Sequence, residues 1–202
     1  MKKLALAVAL MGFMGSASAA GLSIVSSQAV SFSNYDGQPL TYTGARSSGF
    51  TGAISASSAG ILEVVYLGQE SANANLFRFS VFDQLTEANN PGDSVFKTVN
   101  SAGLIHFKFI DTTDGETYTN GFTRNFAILN GALPGSVTGA NNYGPFDYIL
   151  GFNDNKKSGD KDFDDYVVGL RFTPSPVPVP AALPLMATAL GLFGFGASRR
   201  RV

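Results

Sequence analysis

Short runs in which apolar and polar residues alternate are the feature that most constrains the fold of this chain. Between residues 76 and 82, Phe77, Phe79 and Val81 alternate with their neighbours. A period of two places the two sets of side chains on opposite faces of a strand, whereas a helix needs a period of about 3.6. No sustained helical period occurs between residues 20 and 173. This body is therefore predicted to be all-β, built from antiparallel strands with one face buried.

The strand-like runs are separated by stretches rich in turn-forming residues. Strands are predicted over residues 29–33, 61–67, 76–82, 104–110, 122–129, 146–152 and 166–172, and turns over residues 47–60, 88–93, 111–115 and 130–144. About seven to nine strands in about 155 residues predict one domain, residues 20–173, folded as a two-sheet antiparallel β-sandwich. A jelly roll is one topology that fits.

The composition of the body excludes several classes of partner and of stabilising bond. It holds nine basic and fifteen acidic residues, a net charge of −6. Nucleic acid needs a basic face, so no nucleic-acid partner is expected. The chain has no cysteine, so the domain relies on packing without disulfides.

The N-terminus has the layout of a secretory signal peptide. Lys2 and Lys3 precede an apolar run over residues 4–14, and the small residues of Ala17-Ser18-Ala19 follow. This order is typical of an exported precursor. We predict a signal peptide over residues 1–19, with cleavage after Ala19 or after Ala20.

The C-terminus combines a proline-rich segment, an apolar segment and a basic cluster. Residues 181–197 carry no charge and are followed by Arg199, Arg200 and Arg201. Seventeen helical residues rise about 25 Å, close to the hydrocarbon core of about 30 Å, and snorkelling arginines can cover the difference on the cytoplasmic side. We predict a stiff spacer over residues 174–181 and a transmembrane helix with its membrane-stop arginines over residues 182–202. A buried C-terminal core helix is the alternative.

The order of signal peptide, body, Val177-Pro178-Val179-Pro180-Ala181, apolar helix and arginines resembles the PEP-CTERM (VPxPA-type) sorting proteins of Gram-negative bacteria. The name-giving form of that family has Glu where this chain has Val179. The resemblance implies an exosortase-type processing enzyme as partner, with cleavage within residues 177–181. It also implies an inner-membrane-tethered precursor, followed by release to the cell surface or to an exopolysaccharide matrix.

An aspartate-rich segment lies between two predicted strands near the end of the body. Its oxygen-bearing candidates for a metal site are Asn153, Asp154, Asp160, Asp162, Asp164 and Asp165. In extended backbone, Asp160, Asp162 and Asp164 project to one side. Carboxylates this close repel each other, and calcium would neutralise them with the oxygen ligands it prefers.

Three interpretations of the segment stay open: a calcium site, a solvated acidic loop paired with lysines, and aspartates that cap backbone amides at a bulge. An EF-hand is excluded, because counting from Asp160 the sixth position is Asp165 where that loop needs Gly, and the twelfth is Arg171 where it needs Glu.

The same segment is similar to a β-rich domain of bacterial surface proteins. The matching stretches are residues 149–154 and residues 159–168, which include Asp162-Phe163-Asp164-Asp165-Tyr166. Asn153 stands where Glu is common in that family. The resemblance implies a surface-protein domain in which calcium is suspected and no catalytic role is established.

Enzyme chemistry has little support in the sequence. His106 is the one histidine in the chain, and its alternation with Ile105 and Phe107 predicts a solvent-facing position. A thiol nucleophile and a multi-histidine zinc site are excluded, and no serine-nucleophile or phosphate-loop motif occurs. We therefore expect a non-enzymatic surface protein with a structural or adhesive role.

The alternative is a secreted carbohydrate-binding module or polysaccharide-active enzyme. Exposed tyrosines would stack on sugar rings in such a protein, and the candidates are Tyr35, Tyr42, Tyr118 and Tyr143. A glycosidase would also need two positioned carboxylates, and no sequence spacing singles out such a pair.

Overall fold

The computed structural model describes residues 21–31, 48–121, 125–130, 143, 145–154, 163–176, 188 and 190. Over these ranges the chain forms twelve strands: β1 (Leu22–Ser31), β2 (Ser48–Ala56), β3 (Gly60–Gly68), β4 (Asn75–Arg78), β5 (Gln84–Thr86), β6 (Ser94–Val99), β7 (Gly103–Leu104), β8 (Lys108–Asp111), β9 (Glu116–Thr119), β10 (Phe126–Asn130), β11 (Tyr148–Phe152) and β12 (Tyr166–Pro174).

The strands form two antiparallel sheets. In the larger, eight-stranded sheet the order is β1-β2-β10-β11-β12-β3-β6, and β7 pairs with β2. The smaller sheet has the order β5-β4-β8-β9. Every strand pair is antiparallel. The all-β, antiparallel prediction is confirmed for the described part of the body.

Aromatic side chains from both sheets meet in one hydrophobic core. Phe109 of β8 stacks on Phe152 of β11, with ring centroids 4.9 Å apart and planes 2° apart. Phe109 also lies 5.7 Å from Phe126 of β10, and Phe77 of β4 lies 5.4 Å from Phe109. All four rings are fully buried. Large aromatic areas removed from water stabilise this cysteine-free domain.

Several predicted strands are confirmed and one predicted turn region is wrong. The runs at 61–67 and 166–172 lie within β3 and β12. The stretch at 47–60 is mostly the strand β2. Its small residues serve close packing: Ala53 and Ala56 are buried, and a Cβ at Gly52 would lie 2.9 Å from the carbonyl oxygen of Val25.

Two other predictions need correction in detail. The run at 76–82 stays in the sheet only to Arg78, because residues 79–83 form the turn to β5. The run at 104–110 is interrupted after Leu104 and resumes at Lys108. The face assignment within it is confirmed, since His106 is exposed between buried Ile105 and Phe107. Strands β5, β6 and β9 were not predicted.

Asn120 joins elements that are far apart in sequence. Its side-chain amide donates to the carbonyl oxygens of Ile54 (2.9 Å) and Ile105 (2.6 Å), and its Oδ1 accepts from the backbone N–H of Ile54 (2.9 Å). Asn120 is almost completely buried. The side chain of Asn120 therefore bonds both backbone groups of Ile54 in β2, as a neighbouring strand would do.

The outer face of the larger sheet carries a second apolar cluster, which includes Val65, Ile149, Val167 and Phe146. Gly169 lies on this face because it pairs with Val65 on one side and Ile149 on the other. A Cβ at Gly169 would lie 2.6 Å from the ring of Phe146. The missing side chain therefore lets Phe146 lie directly on the sheet.

We expect Gly169→Ala to destabilise the protein by about 1–3 kcal/mol, because the added methyl group overpacks the contact with Phe146. Urea unfolding of the two proteins measures the difference. Gly21→Ala is the matched control, since a Cβ there has no heavy atom within 4 Å. Equal stability of the Gly169→Ala variant and the parent chain would contradict the assigned packing.

Candidate functional site

The aspartate-rich segment is described at both of its ends. Asn153 and Asp154 follow β11, and Asp164 and Asp165 precede β12. Asp160 and Asp162 lie outside the described residues, as do the signal peptide, residues 177–181 and the terminal arginines. Among the described residues, no helix is long and apolar enough to cross a membrane.

Asp154 connects the two sheets through its carboxylate. Oδ2 of Asp154 accepts hydrogen bonds from Ser71 Oγ and from Asn75 Nδ2, each at 2.6 Å. Ser71 precedes β4 and Asn75 is its first residue, so both donors come from the smaller-sheet side. Since Asp154 is nearly buried, these charge-assisted bonds are stronger than neutral bonds at the surface.

The two ends of the segment are also bonded to each other. The backbone N–H of Asp154 donates to Oδ2 of Asp165 at 2.8 Å. A carboxylate that accepts from a backbone amide is the contact expected of a capping aspartate. This bond closes the segment between β11 and β12 at its base.

Phe163 and Asp164 place the returning chain on the sheet. Phe163 is buried and has a left-handed backbone, with φ of 59°. A Cβ on Gly151 would collide with the carbonyl oxygen of Phe163. Asp164 is completely buried. Glycine at position 151 is therefore required for the segment to approach β11 this closely.

Further carboxylates surround Asn75. Glu87 Oε1 accepts from the backbone N–H of Asn75 at 2.6 Å. Asp111, completely buried at the end of β8, accepts from Asn73 Nδ2 at 2.9 Å and from the backbone N–H groups of Thr113 (2.8 Å) and Asp114 (3.1 Å). We call this region the acidic end: Glu87, Asp111, Asp114, Glu116, Asp154, Asp164 and Asp165.

The carboxylates of the acidic end affect the pKa of Tyr118. Its hydroxyl donates to Glu116. Burial, followed by the nearby carboxylates of Asp111, Asp154 and Asp114, raises the pKa of Tyr118 to about 12. The raised pKa keeps the phenol protonated at pH values at which an exposed tyrosine ionises. Because Tyr118 is buried, it is not the exposed ring that the sugar-stacking alternative requires.

Of the other three sugar-stacking candidates, the structure describes one. Tyr143 is half-buried and packs against the outer-face cluster around Phe146. Tyr35 and Tyr42 lie outside the described residues. Tyr118 and Tyr143 thus make packing contacts.

The donor chemistry of the segment suits a hard cation. Carboxylate and amide oxygens are calcium ligands, and a carboxylate with one hydrogen-bonded oxygen keeps further lone pairs. Within the described ranges, no three acidic or histidine side chains are arranged to hold a metal ion. Asp160 and Asp162, two of the predicted ligands, lie outside the described ranges.

Sequence reasoning missed the residues that contact the segment from the smaller sheet. Ser71 and Asn75 are 83 and 79 positions before Asp154 in sequence, and Glu87, which contacts Asn75, is equally unmarked by its local pattern. Asn75 carried one weak signal, since a polar residue opens a strand whose next two positions are buried. Only the pairing of β4 with β8 and the packing of the sheets brings these groups to Asp154.

Comparison with protein-family models, curated proteins and solved structures finds no match to this chain. The functional assignment consequently depends on the residues and contacts described above.

We expect Asp154→Asn to destabilise the protein by about 1.5–3 kcal/mol, the range for hydrogen bonds to charged groups. The substitution removes the charge that Ser71 and Asn75 contact, while the side-chain shape stays nearly constant. Thermal and urea unfolding measure the effect. Asp114→Asn, at an exposed acid of the same end, is the control and should change stability far less. A loss of stability equal for both variants would contradict the bridging role of Asp154.

Proposed function

We propose that the chain is an exported surface or extracellular-matrix protein with a structural or adhesive role. Its two sheets pack as a β-sandwich, and its C-terminal helix holds the precursor in the inner membrane until an exosortase-type enzyme processes it. The observation that most strongly supports this proposal is the C-terminal order of Val177-Pro178-Val179-Pro180-Ala181, an uncharged segment and three arginines. Proline at alternate positions keeps the spacer extended and accessible to such an enzyme.

The proposal that the body is not an enzyme is supported by its carboxylates, because several of them accept hydrogen bonds from other parts of the fold. Asp154 and Asp165 are occupied with hydrogen bonds that join the sheets and close the segment. Asp111 accepts two hydrogen bonds from backbone amides of its own turn and one from Asn73, which lies before β4. Groups held this way stabilise a scaffold, whereas a glycosidase needs two carboxylates facing a substrate.

We further propose that calcium stabilises the segment from Asn153 to Asp165. The proposed ligands are Asn153, Asp154, Asp160, Asp162, Asp164 and Asp165. Calcium would offset the repulsion among these acids and cross-link β11 to β12 at the base already closed by Asp165. Exopolysaccharide at the cell surface is the proposed matrix partner.

The sorting proposal predicts that Pro178→Ala together with Pro180→Ala blocks processing. We expect the double variant to accumulate as a larger, membrane-associated form in a host that carries an exosortase-type enzyme. Immunoblotting of membrane and extracellular fractions distinguishes the two forms. The control is Pro174→Ala, in which the processing motif is intact. Normal processing of the double variant would overturn the sorting proposal.

The calcium proposal predicts heat on titration of calcium into the chain and a raised melting temperature. Ligand that binds only the folded state stabilises it by about 2.7 kcal/mol at a hundredfold excess over the dissociation constant. We expect Asp160→Asn plus Asp162→Asn to abolish both effects. Asp83→Asn, far from the segment in sequence, should retain them. An unchanged calorimetric trace and melting temperature on calcium addition to the parent chain would refute the site.

A further inference from the structure

The turn between β4 and β5 exposes two adjacent apolar side chains. Phe82 is 93% exposed and Val81 is 64% exposed, more than any other large apolar side chain of the described residues. We call residues 79–83 the hairpin tip. Full exposure of a phenylalanine is unfavourable in water, so this adjacent pair is a candidate interaction surface.

The hairpin tip is held in place by its own hydrogen bonds. Ser80 Oγ donates to Asp83 Oδ2 at 2.8 Å and accepts from the backbone N–H groups of Asp83 (3.1 Å) and Phe82 (3.3 Å). The backbone N–H of Phe79 donates to the carbonyl oxygen of Asp83 at 2.9 Å. The turn therefore presents Val81 and Phe82 outward as a fixed feature of the fold.

Basic side chains surround the hairpin tip. Arg78 and Lys108 face each other in the β4–β8 register. Lys97 Nζ lies 5.3 Å from the ring centroid of Phe79. These are three of the four Lys and Arg residues in the described ranges. Asp83, whose carboxylate accepts a hydrogen bond from Ser80, contributes one negative charge beside the exposed pair, so the three basic residues outnumber it.

The hairpin tip and the start of the C-terminal tail both lie away from the acidic end. Strand β4 begins at Asn75, bonded to Asp154, and runs toward the tip. Strand β12 begins at Tyr166, paired with Phe152, and ends at Pro174, paired with Gly60. The apolar segment of residues 181–197 follows shortly afterwards in sequence. Strands β4 and β12 therefore both begin beside the acidic end and run away from it.

We propose that the hairpin tip is a second membrane contact, in which Val81 and Phe82 enter the interface of an anionic bilayer. Arg78, Lys97 and Lys108 would then face the lipid phosphates. Aromatic and aliphatic groups ringed by basic residues fit the boundary between headgroups and acyl chains. This inference rests on the proposed function, because the tail brings the body to the membrane.

Two other occupants fit the hairpin tip less well. A second copy docked tip to tip would bring like charges together. An acidic polysaccharide would satisfy the basic residues but would leave Val81 without an apolar partner. The adjacent aliphatic and aromatic groups favour lipid.

The test uses the natural absence of tryptophan in the chain. The Phe82→Trp protein, with its C-terminal segment intact, is reconstituted into vesicles of brominated phosphatidylcholine with or without phosphatidylglycerol. We expect blue-shifted tryptophan emission and strong bromine quenching when phosphatidylglycerol is present. Phe96→Trp is the matched control, since Phe96 is 58% exposed on β6 and should remain unquenched.

A charge variant tests the basic residues separately. Adding Lys97→Gln and Lys108→Gln to the Phe82→Trp protein should weaken the lipid contact of the tip by about tenfold or more, since each basic residue near an anionic surface contributes measurably. The loss should resemble the effect of high salt on the protein with both lysines.

Several outcomes overturn the inference. Quenching no stronger at position 82 than at position 96 refutes a specific tip contact. A blue shift that appears only at high protein density assigns the tip to a second copy, and one that appears only on addition of alginate assigns it to acidic polysaccharide. A chain that floats with the vesicles but has an unquenched tip refutes only this inference. A chain that does not float refutes both this inference and the membrane tail.

Discussion

The stacking of Phe109 on Phe152 is the contact on which the rest of the structure depends. The parallel rings, 4.9 Å apart, join β8 of the smaller sheet to β11 of the larger one. Strand β11 continues directly into Asn153 and Asp154. The apolar contact that joins the sheets therefore also carries Asp154 to Ser71 and Asn75. In a domain without disulfides, apolar burial and a charged hydrogen-bond network support each other at one place.

The resulting body is polarised along its strands. Glu87, Asp111, Asp154 and Asp165 gather at the acidic end, where backbone amides and short polar side chains hold them. The exposed tip with its basic neighbours lies at the far end of β4. This separation divides the proposed roles. The acidic end would bind calcium, and the hairpin tip would contact an anionic bilayer.

Particular elements show how far sequence reasoning reached. Strands β3 and β12 were predictable because long β-branched and apolar runs have few other solutions. Strand β2 was not predictable, because Gly, Ser and Ala residues are also typical of turns. Their role in the strand becomes clear only from the residues that pack against them. The aspartates near β11 and β12 stood out by density. Ser71 and Asn75 did not, because their partner Asp154 is 83 and 79 positions away in sequence.

The sequence by itself determined the all-β class, the outward face of His106 and the candidate signals at both termini. These features depend on local periodicity and local composition, which can be read directly from the sequence. Only the tertiary structure decided that Tyr118 is buried beside carboxylates, that Gly151 and Gly169 allow other segments to lie on the sheet, and that Asp154 bridges two sheets. The physical reason is that close packing and buried hydrogen bonds depend on which residues meet across strands. Which residues meet is decided by the whole fold and cannot be read from a local stretch of sequence.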